Sequence, residues 1–291
     1  MRVLDLARIT SSIWRDEFNR GQRFRRLLTF VGWQLWKHTI SRPLTVRLFN
    51  GYKFIAYPDC TVSSSLLYSR MPNGREISFL RKHLRGGTFL DVGANVGSIS
   101  LMLADRVDHA VLFEPNPKAA SRARENLFLN RLSFDVYELA LSDFAGKANL
   151  EDRGSVNTTN RIVASRDKTG FPTRVVTVAT LDQFLDEAGL GLSRVKVIKI
   201  DVEGHENAVL RGALRFLRVA RPDLIMFEYL QRTDLRETLS LFGSIGYRVF
   251  HLSPNGPVLV DETIPPLRDL FACPDEYYSR IMAGQPQCVS Q

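Results

Sequence analysis

The stretch that decides the fold is TFLDVGANVG, residues 88–97, where a short apolar run leads into two glycines. The apolar run predicts a buried strand, and the segment Ser98–Arg106 behind it predicts a helix. Glycines at such a turn, here Gly93 and Gly97, let the backbone approach a ligand closely, and free N–H groups at the helix start favour a negative group. Their GxxxG spacing does not match the GxGxxG dinucleotide fingerprint. The sequence therefore predicts a ligand site after this strand. Without the GxGxxG fingerprint, it does not predict a dinucleotide-dependent oxidoreductase.

Strands and helices alternate on both sides of the later motifs. Strands are predicted at Ala110–Phe113, Phe134–Ala140, Val195–Ile200, Leu224–Tyr229 and Tyr247–Leu252, with another before Cys273, and helices at Lys118–Asn130, Leu181–Ala188, Glu206–Leu217 and Leu235–Ile245. This alternation predicts an α/β fold with a doubly wound, mostly parallel sheet. Residues 141–180 do not fit the alternation, and we interpret them as an insert.

Acidic residues follow the next two strands, at the edge where open α/β sheets bind ligands. Glu114 is placed to accept hydrogen bonds from both ribose hydroxyls of a nucleoside, or it caps the loop before Pro115. Asp143, behind Ser142, can accept a hydrogen bond from an adenine amino group, or it only turns the chain. Polar residues at three successive strand ends favour a mononucleoside site.

The fourth strand ends in a dense group of ionisable residues, IKIDVEGHE, residues 198–206. Asp201 at the strand tip is predicted to face the crevice, with Glu203 and His205 on the departing loop. Helix capping explains Glu203 equally well, and a lone histidine is more often structural than catalytic. Glu228 adds an acid at the end of the fifth strand.

Taken together, the motifs DVGANVG, FEPNP, ALSD and IKIDVEGHE resemble the FkbM-type S-adenosylmethionine-dependent methyltransferases over about residues 59–275. The resemblance implies a class I methyltransferase (Rossmann-like) fold, with a seven-stranded sheet whose last strand is antiparallel. It implies S-adenosyl-L-methionine as the cofactor. The expected cofactor residues are Asp91, Gly93, Asn95 and Gly97 in the glycine loop, Glu114 at the ribose, Ser142 and Asp143 near the adenine, and Glu76, by its position, at the methionine end.

Methyl transfer to an alcohol needs a base within hydrogen-bond reach of the hydroxyl. We expect Asp201 or His205 to be that base, with Glu203 shaping a polar floor; alternatively, Asp201 ligates a divalent cation. The Asn/Asp-Pro-Pro-Tyr/Phe motif that activates amines is absent after the fourth strand. The resemblance implies O-methylation. The polar residues 157–160 of the insert lie where an acceptor lid would sit, and they suit hydrogen bonds to a sugar as well as an exposed loop. The favoured acceptor is a hydroxyl of a sugar in a glycolipid, polysaccharide or natural product. An RNA methyltransferase and a non-catalytic S-adenosylmethionine-binding protein are the alternatives.

The positive charge is concentrated at the N-terminus. The chain carries 39 basic and 31 acidic residues, a net charge of +8, and residues 1–50 hold ten of the basic and three of the acidic ones. The remainder is close to neutral, whereas a nucleic-acid channel should itself be basic, so no nucleic-acid partner is expected. We divide the chain into a basic, Trp-containing arm with a β-hairpin (1–58) and a methyltransferase domain (59–291) with an insert at about 141–180.

Residues 1–40 have helical spacing, and Asn50-Gly51 predicts a hairpin with a type I′ turn within Thr45–Tyr57. Two roles for the arm are open: contact with an anionic membrane surface, or a helical cap packed on the sheet, which is preferred. The three cysteines include no CxxC pair, and no segment reads as a signal peptide or is long enough to span a bilayer. We therefore expect a cytoplasmic protein, held at the inner face of the membrane if the arm binds lipid.

Overall fold

The structure of the chain is a computed structural model that describes residues 3–151, 161–163, 170–188, 195–230, 233–262 and 269–284. The helices are α1 (Val3–Arg15), α2 (Arg23–Thr39), α3 (Thr61–Tyr68), α4 (Gly74–His83), α5 (Ser98–Leu103), α6 (Pro117–Leu129), α7 (Leu181–Ala188), α8 (Glu206–Arg211), α9 (Leu214–Ala220), α10 (Leu235–Ser244) and α11 (Asp275–Met282). The strands are β1 (Leu44–Arg47), β2 (Lys53–Ala56), β3 (Thr88–Val92), β4 (His109–Phe113), β5 (Asp135–Tyr137), β6 (Ala140–Leu141), β7 (Gly146–Glu151), β8 (Ile162–Val163), β9 (Thr173–Ala179), β10 (Val195–Ile200), β11 (Leu224–Glu228), β12 (Tyr247–Ser253), β13 (Gly256–Leu259) and β14 (Asp269–Pro274).

The central layer is an eight-stranded sheet with the order β13-β12-β14-β11-β10-β3-β4-β5. Strands β10, β3 and β4 run parallel, and Asp91 on β3 lies opposite Lys199 on β10 and Leu112 on β4. Strand β14 is antiparallel to both of its neighbours, β11 and β12. The predicted α/β class I methyltransferase fold with an antiparallel last strand is confirmed. The expected count of seven strands is wrong, because β13 folds back on β12 as a hairpin and adds an eighth.

The core occupies both faces of this sheet, because successive residues of a strand point to opposite sides. On the central strands, Phe89 and Leu112 belong to the cluster on one face, and Leu90 and Val111 to the cluster on the other. All four side chains are fully buried. The sheet is therefore covered on both sides, as the alternation of strands and helices predicts.

Two predicted elements are interrupted in the structure. The strand expected at residues 134–140 divides into β5 and β6, and β6 joins a second, four-stranded sheet, β6-β9-β7-β8, that is formed by the predicted insert. The helix expected at residues 206–217 divides into α8 and α9 around Gly212. A Cβ atom at Gly212 would lie 1.9 Å from the carbonyl oxygen of Ser142. This glycine therefore allows the chain to pack against the loop that follows β6.

The N-terminal arm packs on α3 rather than directly on the central sheet. Phe30 and Trp33 on α2 are buried, and the indole Nε1 of Trp33 donates a hydrogen bond to Ser64 Oγ at 3.1 Å. The side chain of Asn19 donates to the backbone oxygen of Tyr68 at 3.0 Å. Within the described residues, no helix has both the length and the apolar character needed to cross a membrane. The boundary drawn at residue 58 stays a prediction.

The predicted hairpin is present, with β1 and β2 paired antiparallel. Its turn is longer than the predicted type I′ turn, because the strands end at Arg47 and resume at Lys53. Gly51 has a φ of +90°, but Asn50 does not take up a positive φ. Instead, the Asn50 side chain donates a hydrogen bond to the backbone oxygen of Leu101 at 2.9 Å and ties the turn to α5.

Candidate functional site

A cavity of about 330 Å³ lies at the carboxyl ends of β3, β4 and β10. This volume is within the range of small-molecule sites, and the location is the usual one for ligands of open α/β sheets. Side chains from α3, from the glycine loop and from the insert complete its wall. The topology therefore places the predicted motifs around a single cavity.

The glycine loop lines the cavity with Gly93, Ala94 and Asn95. Gly93 has a φ of +74°, and a Cβ atom there would lie 1.9 Å from the backbone oxygen of Asp201, so only glycine fits. Asn95 also takes up a left-handed conformation, with a φ of +51°. Gly97 does not line the cavity: a Cβ atom there would contact Ala123 on α6 at 3.4 Å. Its place in the structure indicates a role in helix packing, and the contact of Gly97 with the cofactor stays a prediction.

Glu114 lines the cavity, as expected, and is only 7% exposed. Its two carboxylate oxygens accept hydrogen bonds from the backbone N–H groups of Asn95 and Asn116, each at 2.8 Å. Burial raises the pKa of Glu114 to about 7, although these two N–H donors act in the opposite direction. The carboxylate is thus fixed in place at the end of β4. The ribose contact assigned to it stays a prediction.

Asp91 lies behind the wall of the cavity rather than in it. Its side chain is fully buried, accepts a hydrogen bond from Ser100 Oγ at 2.7 Å and lies 3.4 Å from Lys199 Nζ. The expected contact of Asp91 with the cofactor stays a prediction. The position instead anchors the start of α5 and the Lys199 ammonium below the glycine loop.

Lys199 is a cavity residue to which the sequence analysis gave no role. It is 3% exposed, and its Nζ donates a hydrogen bond to the backbone oxygen of Gly93 at 2.7 Å. The ammonium lies 3.4 Å from Asp91 and 3.5 Å from Asp201. Burial acts to lower the pKa of Lys199, but Asp201 and Asp91 outweigh it, so the pKa is raised. The sequence did contain a signal for this role of Lys199. It lies within the apolar run VKVIKI, and a lysine that is buried in a strand requires charged or polar partners.

Three carboxylates meet beside Lys199. Asp201 and Glu203 line the cavity, and Glu228 at the end of β11 is buried next to them. One oxygen from each of the three lies within 4.8 Å of the other two. Glu203 reaches this position in a left-handed conformation, with a φ of +58°. A group of this kind can hold a proton or a divalent cation, so the predicted polar floor exists at this end of the cavity.

His205, Ser142 and Asp143 come together, but not at the cavity. His205 Nε2 lies 2.8 Å from the hydroxyl of Ser142, whose own side chain is fully buried. Asp143 pairs with Arg211 on α8 at 2.9 Å. Burial lowers the pKa of His205. In the structure these side chains join α8 to the loop after β6, and their assignment as the base and the adenine contacts stays a prediction. The cavity wall beside them is formed by Leu139, Ala140 and Leu141.

The entry side of the cavity is formed by α3 and the turn before α4. Thr61, Val62 and Ser65 of α3 line it, followed by Pro72 and Asn73. Glu76 lies in the first turn of α4 and is not a lining residue, and its expected contact with the cofactor stays a prediction. Helix α3 was not predicted as a helix, because two helical turns give too little periodicity to be recognised in the sequence.

The insert contributes Leu150, Arg161 and Ile162 to the opposite wall. The guanidinium of Arg161 lies 3.2 Å from the carboxylate of Glu151, which is almost fully buried. The polar residues 157–160, which we expected to act as an acceptor lid, lie outside the described part of the chain.

Comparisons with known proteins agree with the motifs. A family model described as the methyltransferase FkbM domain matches residues 91–249, more than half of the chain. The 2-O-methyltransferase NoeI of Sinorhizobium fredii (strain NBRC 101917 / NGR234) is 30% identical over 161 residues, an alignment that covers 50% of this chain and 63% of that protein. The chain thus spans less than two thirds of the length of this relative.

Two solved structures are similar at a lower level. Methyltransferase FkbM from Methylobacillus flagellatus KT has a TM-score of 0.43 at 15% identity, covering 88% of this chain and 61% of that chain. The tRNA (uracil-54, C5)-methyltransferase of Pyrococcus abyssi, in complex with S-adenosyl-L-homocysteine, has a TM-score of 0.42 at 14% identity, covering 79% of this chain and 43% of that chain. With similarity this low, neither structure adds to the family match.

Proposed function

The chain belongs to the FkbM methyltransferase family, and we propose that it is an S-adenosylmethionine-dependent methyltransferase that transfers the methyl group to a hydroxyl of a sugar in a glycolipid, polysaccharide or natural product. The observation that carries this proposal is the acidic floor formed by Asp201, Glu203 and Glu228 beside the glycine loop. Carboxylates at this place can accept both a proton and hydrogen bonds from an alcohol.

The chemistry of the lining residues fits S-adenosyl-L-methionine. Each carboxylate oxygen of Glu114 accepts one backbone N–H and keeps lone-pair capacity for a ribose hydroxyl. Gly93 presents backbone without a side chain, and Asp201 and Glu203 place negative charge on the same cavity. When bound, S-adenosyl-L-methionine supplies a methyl group that is activated by the positive charge of its sulfur. Nearby carboxylates are compatible with that charge.

We assign Asp201 the role of general base, because it lines the cavity while His205 is turned toward Ser142. Its carboxylate would accept the proton of the acceptor hydroxyl as the new C–O bond forms. Lys199, 3.5 Å away, orients that carboxylate and holds it close to the glycine loop. Glu203 is a positioning group for further hydroxyls of the acceptor. The name of NoeI, a 2-O-methyltransferase, supports oxygen as the methylated atom.

The test is an assay with methyl-labelled S-adenosyl-L-methionine and separated glycolipid, polysaccharide and RNA fractions. We expect label in a glycan-containing fraction, in a form that resists alkali, as a methyl ether does and a methyl ester does not. The Asp201→Asn variant should lose roughly a hundredfold or more in turnover while still binding the cofactor. Asp186→Asn is the control, because Asp186 pairs with Arg215 on the surface and does not line the cavity. Label in RNA alone would refute the proposal.

The same assay separates direct proton transfer from a role of a divalent cation. The spacing of the three carboxylates suits Mg²⁺ as well as a proton. If Asp201 acts as the base without a cation, turnover survives EDTA and is lost in Asp201→Asn. Loss of turnover in EDTA that is restored by Mg²⁺ assigns the carboxylates to a cation instead.

A further inference from the structure

The outer face of α2 carries an apolar stripe that the fold does not use. Phe24, Leu28, Val31 and Leu35 are 74%, 73%, 53% and 62% exposed. Their spacing of four, three and four residues puts them on one side of the helix. Trp14 of α1 extends the stripe, because its ring meets that of Phe24 edge to face at 5.4 Å. We call these five residues the outer stripe.

The outer stripe is distinct from the face by which the arm is held. The opposite side of α2 buries Phe30 and Trp33 against α3, and Arg26 donates a hydrogen bond to the backbone oxygen of Leu67. The helix thus has two apolar faces, and one of them accounts for its packing on the protein. Single exposed apolar residues are ordinary on a protein surface, but a contiguous apolar face indicates a binding partner.

The charge around the outer stripe defines the chemistry of that partner. Exposed arginines lie on α1, on α2 and in their connections, namely Arg8, Arg15, Arg20, Arg25 and Arg42. The two acids between residues 6 and 42 are both engaged: Asp16 accepts hydrogen bonds from Phe18 N and Ser69 Oγ, and Glu17 pairs with Arg75. The stripe therefore sits in a positive field.

We propose that the outer stripe is a docking surface for a membrane that contains anionic lipid. An amphipathic helix with aromatic and aliphatic residues beside arginines binds at the boundary between headgroups and acyl chains, where apolar burial and attraction to anionic headgroups add together. A second copy of the chain fits less well, because pairing two stripes would bring two positively charged arms together. This inference does not depend on the identity of the methyl acceptor.

Helix α3 connects this surface to the cavity. Thr61, Val62 and Ser65 of α3 line the cavity, while Ser64 and Tyr68 of the same helix accept hydrogen bonds from Trp33 and Asn19 of the arm. The docking surface and the cavity are thus separated by one packed pair of helices, whose combined thickness is about 18–22 Å. Docking on a membrane would therefore hold the cavity close to the lipid surface.

The experiment is flotation of the full chain with phosphatidylcholine vesicles, with and without phosphatidylglycerol. The double variant Leu28→Glu/Leu35→Glu should lower the partition coefficient at least about tenfold. The matched control is Phe128→Glu/Val219→Glu, which changes charge equally at residues that are 85% and 69% exposed outside the arm. The variant Arg15→Gln/Arg25→Gln should bind about tenfold more weakly than the wild-type chain to vesicles that contain phosphatidylglycerol. Its binding to vesicles of phosphatidylcholine alone should be unchanged.

Retained binding of S-adenosyl-L-methionine and an unchanged unfolding midpoint show that each variant is folded. If the double variant is not folded, the milder Leu28→Gln replaces it, with Val219→Gln as its control. Equal partition coefficients of the stripe variant and the control variant would overturn the proposal. A wild-type partition coefficient that is the same with and without phosphatidylglycerol would overturn it too. The proposal would also be overturned if the wild-type chain and the control variant formed a dimer in sedimentation without lipid and the stripe variant did not. That result would assign the surface to a second copy of the chain.

Discussion

Replacing Lys199 with methionine tests whether the buried cation holds the site together. The change keeps the length and the apolar stem of the side chain and removes its charge. Asp91, fully buried, then retains Ser100 as its donor but loses the ammonium at 3.4 Å. Breaking a buried ion pair by removing one partner costs about 3–5 kcal/mol, because the remaining charge stays in a poorly solvated place. We expect Lys199→Met to lower the free energy of unfolding at neutral pH by about that amount.

The assay is urea unfolding of Lys199→Met beside Lys196→Met, its control from the same strand. Lys196 pairs with Asp223 at 3.6 Å, but its side chain is 40% exposed, so its loss should cost no more than about 1 kcal/mol. Adding Asp91→Asn to Lys199→Met should recover part of the lost stability, because the uncompensated carboxylate is then gone. In the wild-type chain the pKa of Lys199 is raised, so the contribution of its charge is present below the ordinary lysine pKa of 10.5 and is lost only as the pH rises through the higher folded value.

The reasoning would be refuted by either of two results. The first is a cost of Lys199→Met that is no larger than that of Lys196→Met. The second is a double variant whose loss of stability equals the sum of the two single losses, since that would mean that Asp91 and Lys199 do not interact in the folded state.

Three further predictions concern the cavity. The pKa of Glu114 is raised to about 7, so its charged form opposes folding, and the free energy of unfolding should fall as the pH rises from about 4.5 to about 7. Calorimetry should show that the affinity for the cofactor rises over the same pH range. The Glu114→Gln variant should make both quantities nearly independent of pH in this range. Gly93→Ala should abolish cofactor binding or destabilise the chain by more than about 2 kcal/mol, because its Cβ atom would lie 1.9 Å from the backbone oxygen of Asp201. The control is Gly243→Ala, which has open space around it and should leave the stability in thermal unfolding unchanged or raise it. His205→Ala should lower the unfolding midpoint and reduce turnover far less than Asp201→Asn; equal losses of turnover would return His205 to the reaction.

The fold and half of the site could be predicted from local sequence. The run at residues 88–97 marks the first strand and its glycine turn, and the structure places Gly93, Asn95, Glu114, Asp201 and Glu203 on the cavity that this turn begins. Each of these residues stands at a strand end, and parallel strands bring their carboxyl ends to one edge of the sheet. The order of the elements is therefore sufficient to bring them together.

The remainder of the site depends on register and on side-chain direction, which local sequence does not contain. Leu139, Ala140 and Leu141 all line the cavity, whereas Ser142, the first residue after β6, does not. The Ser142 hydroxyl instead contacts His205, which is 63 residues away in the sequence, and local sequence does not predict such a contact. The ion pair of Lys199 depends on the register of β10 and β3, which places Lys199 opposite Asp91.

The contacts of Lys199 link the two halves of the proposed reaction. Its Nζ donates to the oxygen of Gly93, in the loop of the cofactor site, and pairs with Asp201, the proposed base. Proton transfer to Asp201 would remove the negative charge of one of the two carboxylates that hold the ammonium, and Asp91 and the Gly93 oxygen would keep it in place. The ammonium that stabilises the ionised form of the proposed base is thereby also held by the loop proposed to bind the cofactor. We therefore expect Lys199 to couple the protonation state of the proposed base to the backbone of the loop proposed to bind the cofactor, through an ammonium group that is buried in the structure.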